Sequence, residues 1–147
     1  MMRKLRPTQV VESVHEIDLA HLQSLSKRAL IFDLDNTLCR RGTKTPDSDV
    51  KRYISQVQAA GFRIGILTNR RRNAEDPIVS DLREYLPVVS AARKPSREGY
   101  VQILRLMSAC PEETVMIGDK RWTDIWGANR MGIHSIRVRT YPRFPSP

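Results

Sequence analysis

Ala29-Leu30-Ile31-Phe32-Asp33-Leu34-Asp35-Asn36-Thr37-Leu38 is a short apolar run that stops abruptly in two aspartates, one residue apart. On an extended strand, side chains i and i+2 share a face, so the carboxylates of Asp33 and Asp35 are expected side by side where the strand ends. Two carboxylates held that close repel, and a hard cation relieves them. Mg²⁺ takes one or two carboxylates together with phosphate oxygens and water, so the pair points towards phosphate chemistry. A lone Asp-x-Asp is also an ordinary solvated turn, and the rest of the chain has to decide between the two.

Outward from this stretch, short apolar segments alternate with helical patterns. Ala29–Asp33 is apolar throughout rather than alternating, as parallel strands covered on both faces are. A helix starting at Asp47 or Ser48 turns Val50, Ile54 and Val57 inward and ends at Gly61. Phe62–Leu67 reads as a second strand, and a helix from about Asp76 to Tyr85 has Pro77 in its first turn. Pro87–Ser90 reads as a third strand, followed by a helix from about Arg97 to Ser108. Thr114–Ile117 is a fourth strand, then a helix from about Thr123 to Met131, and Ile133–Val138 a fifth. This alternation predicts an α/β fold: a three-layer, doubly wound parallel sheet of about five strands. Residues 1–28 read as a polar, basic lead-in packed on the core, with Asp18 capping a helix that carries Leu19, Leu22 and Leu25. Residues 29–140 form the domain proper, and the proline-rich 141–147 a flexible tail.

Ligands of such sheets sit beyond the carboxyl ends of the strands. Asp33 and Asp35, Thr68 and Asn69, Lys94, and Asp119 all fall at or just past strand ends, so four segments distant in sequence converge on one edge.

Those segments carry a resemblance. Asp33-Leu-Asp-Asn-Thr resembles the first motif of the haloacid-dehalogenase (HAD) superfamily, Leu67-Thr68-Asn69 the second, Lys94-Pro95 the third, and Gly118-Asp119-Lys-Arg-Trp-Thr-Asp124 the fourth. Ala92-Arg93-Lys94-Pro95, Thr123-Asp124 and Gly127-Ala128-Asn129-Arg130 are closer still to the subfamily IIIA phosphatases of the YqeG type, which are related to phosphatidylglycerophosphate phosphatases. The resemblance implies a HAD-like Rossmannoid fold and a phosphomonoester hydrolase working through an aspartyl-phosphate. Asp33 is then the nucleophile and Asp35 the acid and base. Mg²⁺ is held by Asp33, the backbone carbonyl of Asp35, and Asp119. Thr68 and the Asn69 backbone N–H bind phosphoryl oxygens at a helix entrance, and Lys94 offsets the charge developing on them. Asp124 orients Lys94 or supports the metal through water.

The gaps from Leu38 to Pro46 and from Arg70 to Arg93 leave no room for a cap domain. An uncapped site suits phosphate on something bulky. Lysine and arginine outnumber aspartate and glutamate 25 to 16, a formal charge of +9. Eleven of those 25 follow the strand ends: Arg40, Arg41, Lys44, Arg70, Arg71, Arg72, Arg93, Lys94, Arg97, Lys120 and Arg121. A positive rim of this kind favours anionic partners. The preferred substrate is a phosphorylated glycerolipid head group such as phosphatidylglycerophosphate, met in peripheral contact with an anionic membrane. The alternatives are a nucleic-acid-end or small-metabolite phosphatase, or a basic nucleic-acid-binding module with a vestigial site. Arg3, Lys4 and Arg6 are not followed by the apolar core of a leader, and no run reaches the ~18 apolar residues of a membrane span. Cys39 and Cys110 fit no zinc or disulfide framework, which suggests a reducing cytoplasm. Cys39 reads as a small packed residue, Trp122 and Trp126 as core, and His15, His21 and His134 as structural. The sequence leaves the oligomeric state open.

Overall fold

The computed structural model describes residues 2–45, 48–71 and 76–143. Six parallel strands form one sheet: β1 (Gln9–Val11), β2 (Ala29–Phe32), β3 (Arg63–Leu67), β4 (Val88–Val89), β5 (Thr114–Gly118) and β6 (His134–Val138). Their order across the sheet is β1-β6-β5-β2-β3-β4. The chain winds outward from β2 through β3 to β4, then crosses back to β5 on the other side of β2. The switch point therefore lies between β2 and β5, where Ala29 is in register with both Arg63 and Thr114. This is the doubly wound parallel sheet expected from the sequence, with one strand more than the five expected. The extra strand, β1, comes from the lead-in and pairs Gln9 with Ile136 and Val11 with Val138. Three residues, of which Val10 faces out and Val11 in, are too few to show a period of two.

Alternation along β2 builds the layers. Leu30 and Phe32 join a cluster with Leu22 of α1 (Leu19–Ser24), Val50, Ile54 and Val57 of α2 (Ser48–Ala59), and Ile78 and Leu82 of α3 (Pro77–Arg83). Ala29 and Ile31 face the other way, onto Tyr100, Ile103 and Met107 of α4 (Arg97–Met107) and Ala128 of α5 (Trp126–Arg130). Each such fully buried Leu, Ile or Phe contributes about 1.5–3 kcal/mol relative to exposure. Gly65 in β3 is where α4 comes closest, since a Cβ there would run into the Met107 sulfur and the Ile103 side chain.

Local signals explain the ends. The Asp18 carboxylate accepts from the His21 N–H at 3.0 Å and caps α1. Gly61, at φ 103°, takes the left-handed turn after α2 that a side chain would strain. The lead-in is tied to the core by Tyr53, whose hydroxyl donates to the Val14 carbonyl at 3.1 Å and whose ring meets Phe32 edge-on. Cys39 is buried, and burial pushes its thiol up to about 11, which makes it an inert packed residue. His15 packs edge-on against Tyr53. Among the described residues no cap domain interrupts the segments from β2 to α2 or from β3 to β4. No helix among them is long and apolar enough to cross a membrane. Residues 144–147 of the expected tail lie outside the described residues, as do Pro46, Asp47 and Arg72.

Candidate active site

β2 lies at the switch point, and Asp33 leaves it in a fixed position. Its N–H donates to the Ile117 carbonyl at 2.9 Å, which extends the ladder with β5 by one bond. The chain then turns sharply: the Leu34 carbonyl accepts from the N–H groups of Thr37, Leu38 and Cys39 at 3.1–3.3 Å. That turn brings the Thr37 hydroxyl back to Asp33 Oδ2 at 3.3 Å. Asp33 is almost completely buried, with 7% of its surface exposed.

Lys94 arrives from the loop after β4. Its Nζ donates to Asp33 Oδ1 at 2.8 Å and to Asp124 Oδ1 at 2.7 Å. The Asn69 side chain sets this reach by holding the Lys94 backbone on both sides: Lys94 N–H to Asn69 Oδ1 at 2.7 Å, and Asn69 Nδ2 to the Lys94 carbonyl at 3.1 Å. Burial alone would lower the Lys94 ammonium. The charges of Asp124 and Asp33 and their hydrogen bonds outweigh it and hold the group protonated above the ordinary lysine value.

Asp119 completes the group. Oxygens of Asp33, Asp119 and Asp124 all lie within 4.8 Å of one another. Burial, with Asp33 and Asp124 as near neighbours, pushes the Asp119 carboxyl up to about 7. Three carboxylates against one ammonium leave two negative charges, the charge of one divalent cation. Asp119 Oδ1 is buried with no hydrogen-bond partner among the described residues. A buried acceptor left unmet is costly unless something binds it. The donor set is all oxygen, as a hard cation requires, so these residues fit a metal ion.

Asp124 reaches the cluster on a segment wound more loosely than an α-helix. The sequence suggests a helix over 123–131; instead Arg121–Ile125 forms one π-helical turn that runs into α5. Single π turns in helices are frequent at functional sites. Tyr100 braces this one, its hydroxyl lying 2.8 Å from the Thr123 carbonyl and 3.1 Å from that of Asp124. Gly118 makes room, since a Cβ there would collide with the Asp124 carboxylate. Asp124 Oδ2 accepts from the Lys120 N–H at 3.1 Å, so both its oxygens are engaged.

Asp35 lines the same cavity as Asp33, but its carboxylate is not one of the clustered three. Arg70 grips the Asp35 carboxylate instead, with Nε 3.0 Å from Oδ2 and Nη2 2.7 Å from Oδ1, and the Gly42 N–H adds a bond at 3.1 Å. Burial pushes this carboxyl up, but the Arg70 and Gly42 hydrogen bonds and the charges of Arg70 and Arg41 carry it below the ordinary value. Nη1 of Arg70 reaches Asp76, at the head of α3, at 3.3 Å. Arg70 thus joins the first motif to α3, a contact the sequence reading missed because an arginine in a basic run looks solvated.

Asp33, Asp35, Thr68, Asn69 and Lys94 face one cavity of about 290 Å³. Asp119 does not line it. Thr68 is buried, and its hydroxyl oxygen accepts from the Arg70 N–H at 3.1 Å. The helix entrance expected at Thr68 and Asn69 is absent among the described residues, because α3 begins only at Pro77. The positive rim also needs correction: Lys94 is buried, and Arg70 is spent on carboxylates. Trp122 and Trp126 are not core. They stack on each other at 4.4 Å with Trp122 58% exposed, and the Arg130 guanidinium covers the Trp126 ring at 4.1 Å.

The model of the HAD-hydrolase-like family matches residues 91–140. The chain is 27% identical over 132 residues to "Probable phosphatase YqeG" of Bacillus subtilis, covering 90% of this chain and 76% of that one. A glyceraldehyde 3-phosphate phosphatase of Methanopyrus kandleri is 29% identical over 101 residues, and there the match spans 43% of the relative's length. Among solved structures, an uncharacterized protein from Listeria monocytogenes superposes with a TM-score of 0.62 at 21% identity, covering 79% of this chain and 82% of that one. A HAD phosphatase from Thermococcus onnurineus gives 0.55 at 20% identity, covering 65% and 54%.

Proposed function

We propose that this chain, a HAD-like phosphatase of the YqeG kind by fold, motifs and relatives, is a Mg²⁺-dependent phosphomonoesterase working through an aspartyl-phosphate on Asp33. The observation that carries the reading is the buried cluster of Asp33, Asp119, Asp124 and Lys94 at the switch point of the sheet. A surface that only binds needs no such charge imbalance.

In this reading Asp33 attacks phosphorus and the P–O bond to the leaving alkoxide breaks. Asp35 gives that alkoxide its proton, then takes one from the water that cleaves the aspartyl-phosphate. Arg70 holds the Asp35 carboxyl below its ordinary value, so Asp35 has to take up a proton from solvent before it can pass one to the alkoxide, and it then stands as the carboxylate the second half-reaction needs. Asp33, the Asp35 carbonyl and Asp119 would hold Mg²⁺, which would supply the positive charge that lets a carboxylate approach a phosphate. Lys94 faces the same cavity and stabilises charge on the transferring oxygens, aided by the Thr68 hydroxyl.

The substrate we favour is a phosphorylated glycerolipid head group such as phosphatidylglycerophosphate. An uncapped catalytic edge supports a bulky substrate. The test is phosphate release with Mg²⁺ and with chelator, on phosphatidylglycerophosphate, a 3′-phosphorylated oligonucleotide and a panel of sugar phosphates. We expect turnover only with metal and fastest on the lipid; equal rates on sugar phosphates would overturn the lipid assignment.

A cytoplasmic chain acting on lipid has to dock on an anionic membrane. Trp122 is the anchor we favour, since Lys120 and Thr123 beside it line the catalytic cavity and Lys120 and Arg121 are exposed. Exposed indoles with neighbouring cations suit the headgroup region. With only two tryptophans in the chain, fluorescence reads this directly. Anionic vesicles should shift emission to the blue and neutral vesicles should not, and Trp122→Ala should abolish the shift. Identical spectra with both vesicle types would exclude docking through this face.

A further inference from the structure

A second cavity, of about 630 Å³, opens beside the catalytic one, and its space beyond Asp35 and Arg70 has no part in the reaction described above. Asp35, Arg41, Arg70 and Arg71 line both cavities, while Gly42 and Lys44 line only the larger one. The two spaces therefore adjoin as one cleft.

The cations in this cleft differ in what holds them. The Arg70 guanidinium is spent on Asp35 and Asp76. Arg41, Lys44 and Arg71 make no ion pair with a carboxylate among the described residues, and all three are exposed. They come from two loops, one after β2 and one after β3, and meet across the same space. Scattered surface cations are commonplace. Three unpaired ones facing into a single cleft, continuous with a phosphate-transfer site, concentrate positive potential where part of a bound substrate would lie. Arginine forks match phosphate oxygens, and a cavity of this size holds a phosphate together with its spacer.

We propose that the larger cavity seats a second anionic group of the substrate: a phosphodiester or second phosphate on the same molecule as the phosphomonoester hydrolysed at Asp33. This rests on the phosphatase reading and deepens it. Arg41, Arg70 and Arg71 face both cavities, so a molecule anchored at Asp33 extends directly between them. Such an anion could belong to a lipid head group or to a nucleoside bisphosphate, and both present the same chemistry to Arg41, Lys44 and Arg71.

Three soluble probes separate the cases: glycerol 3-phosphate with one anionic group, glycerophosphoglycerol phosphate with a diester besides the monoester, and adenosine 3′,5′-bisphosphate. Calorimetric binding to the Asp33→Asn chain reads affinity without turnover. At low salt we expect one or both doubly anionic probes to bind about tenfold or more tighter than glycerol 3-phosphate, the worth of one charge-assisted hydrogen bond. The Lys44→Ala/Arg71→Ala double variant should bring that ratio close to one, with circular dichroism unchanged because both residues are exposed. Preference for the glycerophosphoglycerol probe marks a lipid source, and preference for the adenosine probe a nucleotide source. Equal affinity for all three, or a ratio the double variant leaves intact, overturns the proposal. Turnover on the unaltered chain is read separately. Discrimination in binding without any phosphate release sinks the hydrolase reading alone, and one kcat/KM for all three probes sinks the subsite alone.

Discussion

Asp33→Asn should lower Mg²⁺-dependent phosphate release from an aryl phosphate by more than about 10⁴-fold, as loss of a covalent nucleophile does. The chain should nonetheless stay folded. An amide of the same shape still accepts from Lys94 through its oxygen while its NH2 donates to the Thr37 hydroxyl, and Lys94 keeps its second partner, Asp124, at 2.7 Å. The substitution also removes one of three mutually repelling carboxylates. In chelator, its urea midpoint should therefore equal or exceed that of the unaltered chain. Inactivity without destabilisation separates a chemical role from a structural one. Turnover within tenfold of the unaltered chain would remove Asp33 as nucleophile.

How much of this was legible in the sequence depends on whether a residue acts through its neighbours in the chain or across the fold. β2, β3 and β5 read correctly because a short apolar run bounded by polar turns has few other meanings in a parallel sheet. The convergence of Asp33, Lys94 and Asp119 followed from strand ends alone, since a doubly wound sheet brings all carboxyl ends to one edge. What failed was local inference beyond those ends. Alternation puts Asp35 beside Asp33, and both line one cavity, but the Arg70 guanidinium that holds Asp35 leaves no signature in the sequence. The π turn, the Tyr100 brace and the two-sided hold of Asn69 on Lys94 have no periodic signature. Trp122 shows the limit from the other side: spacing places it one turn from Trp126, but which face of that turn meets solvent is decided by packing against α4.

The corrections bear on mechanism as well. Two aspartates two residues apart differ here in environment more than in sequence. Asp33 is buried against an ammonium and two other carboxylates, whereas Asp35 is partly open and held by a guanidinium. In the proposed mechanism that difference suits Asp33 to nucleophilic attack and Asp35 to proton transfer. Asp35 and Arg70 both line the second cavity, so whatever occupies it meets the proposed acid/base residue and the guanidinium that holds it.

Lys94→Met is the change expected to cost most in stability. It leaves Asp33 and Asp124 buried without their shared cation, and breaking a buried pair by removing one partner costs about 3–5 kcal/mol. Urea unfolding in chelator at pH 7 measures it. The sign of its pH dependence follows from the carboxyls. Burial raises Asp124, and it raises Asp119 to about 7, both above the ordinary value near 3.8. A carboxyl raised in the folded state penalises folding once it is charged, so the penalty is absent below about pH 4 and fully present above about 7. Metal-free stability should therefore fall as pH rises through that window, and fall more steeply in Lys94→Met, where the compensating ammonium is gone. Mg²⁺ should restore part of the loss at pH 7 and little at pH 4.5, because there protons already occupy the cluster. Activity should be lost at every pH, since the cation facing the transferring oxygens is missing. A variant as stable as the unaltered chain at pH 7 without metal would mean that the three carboxylates are not held together as the structure has them.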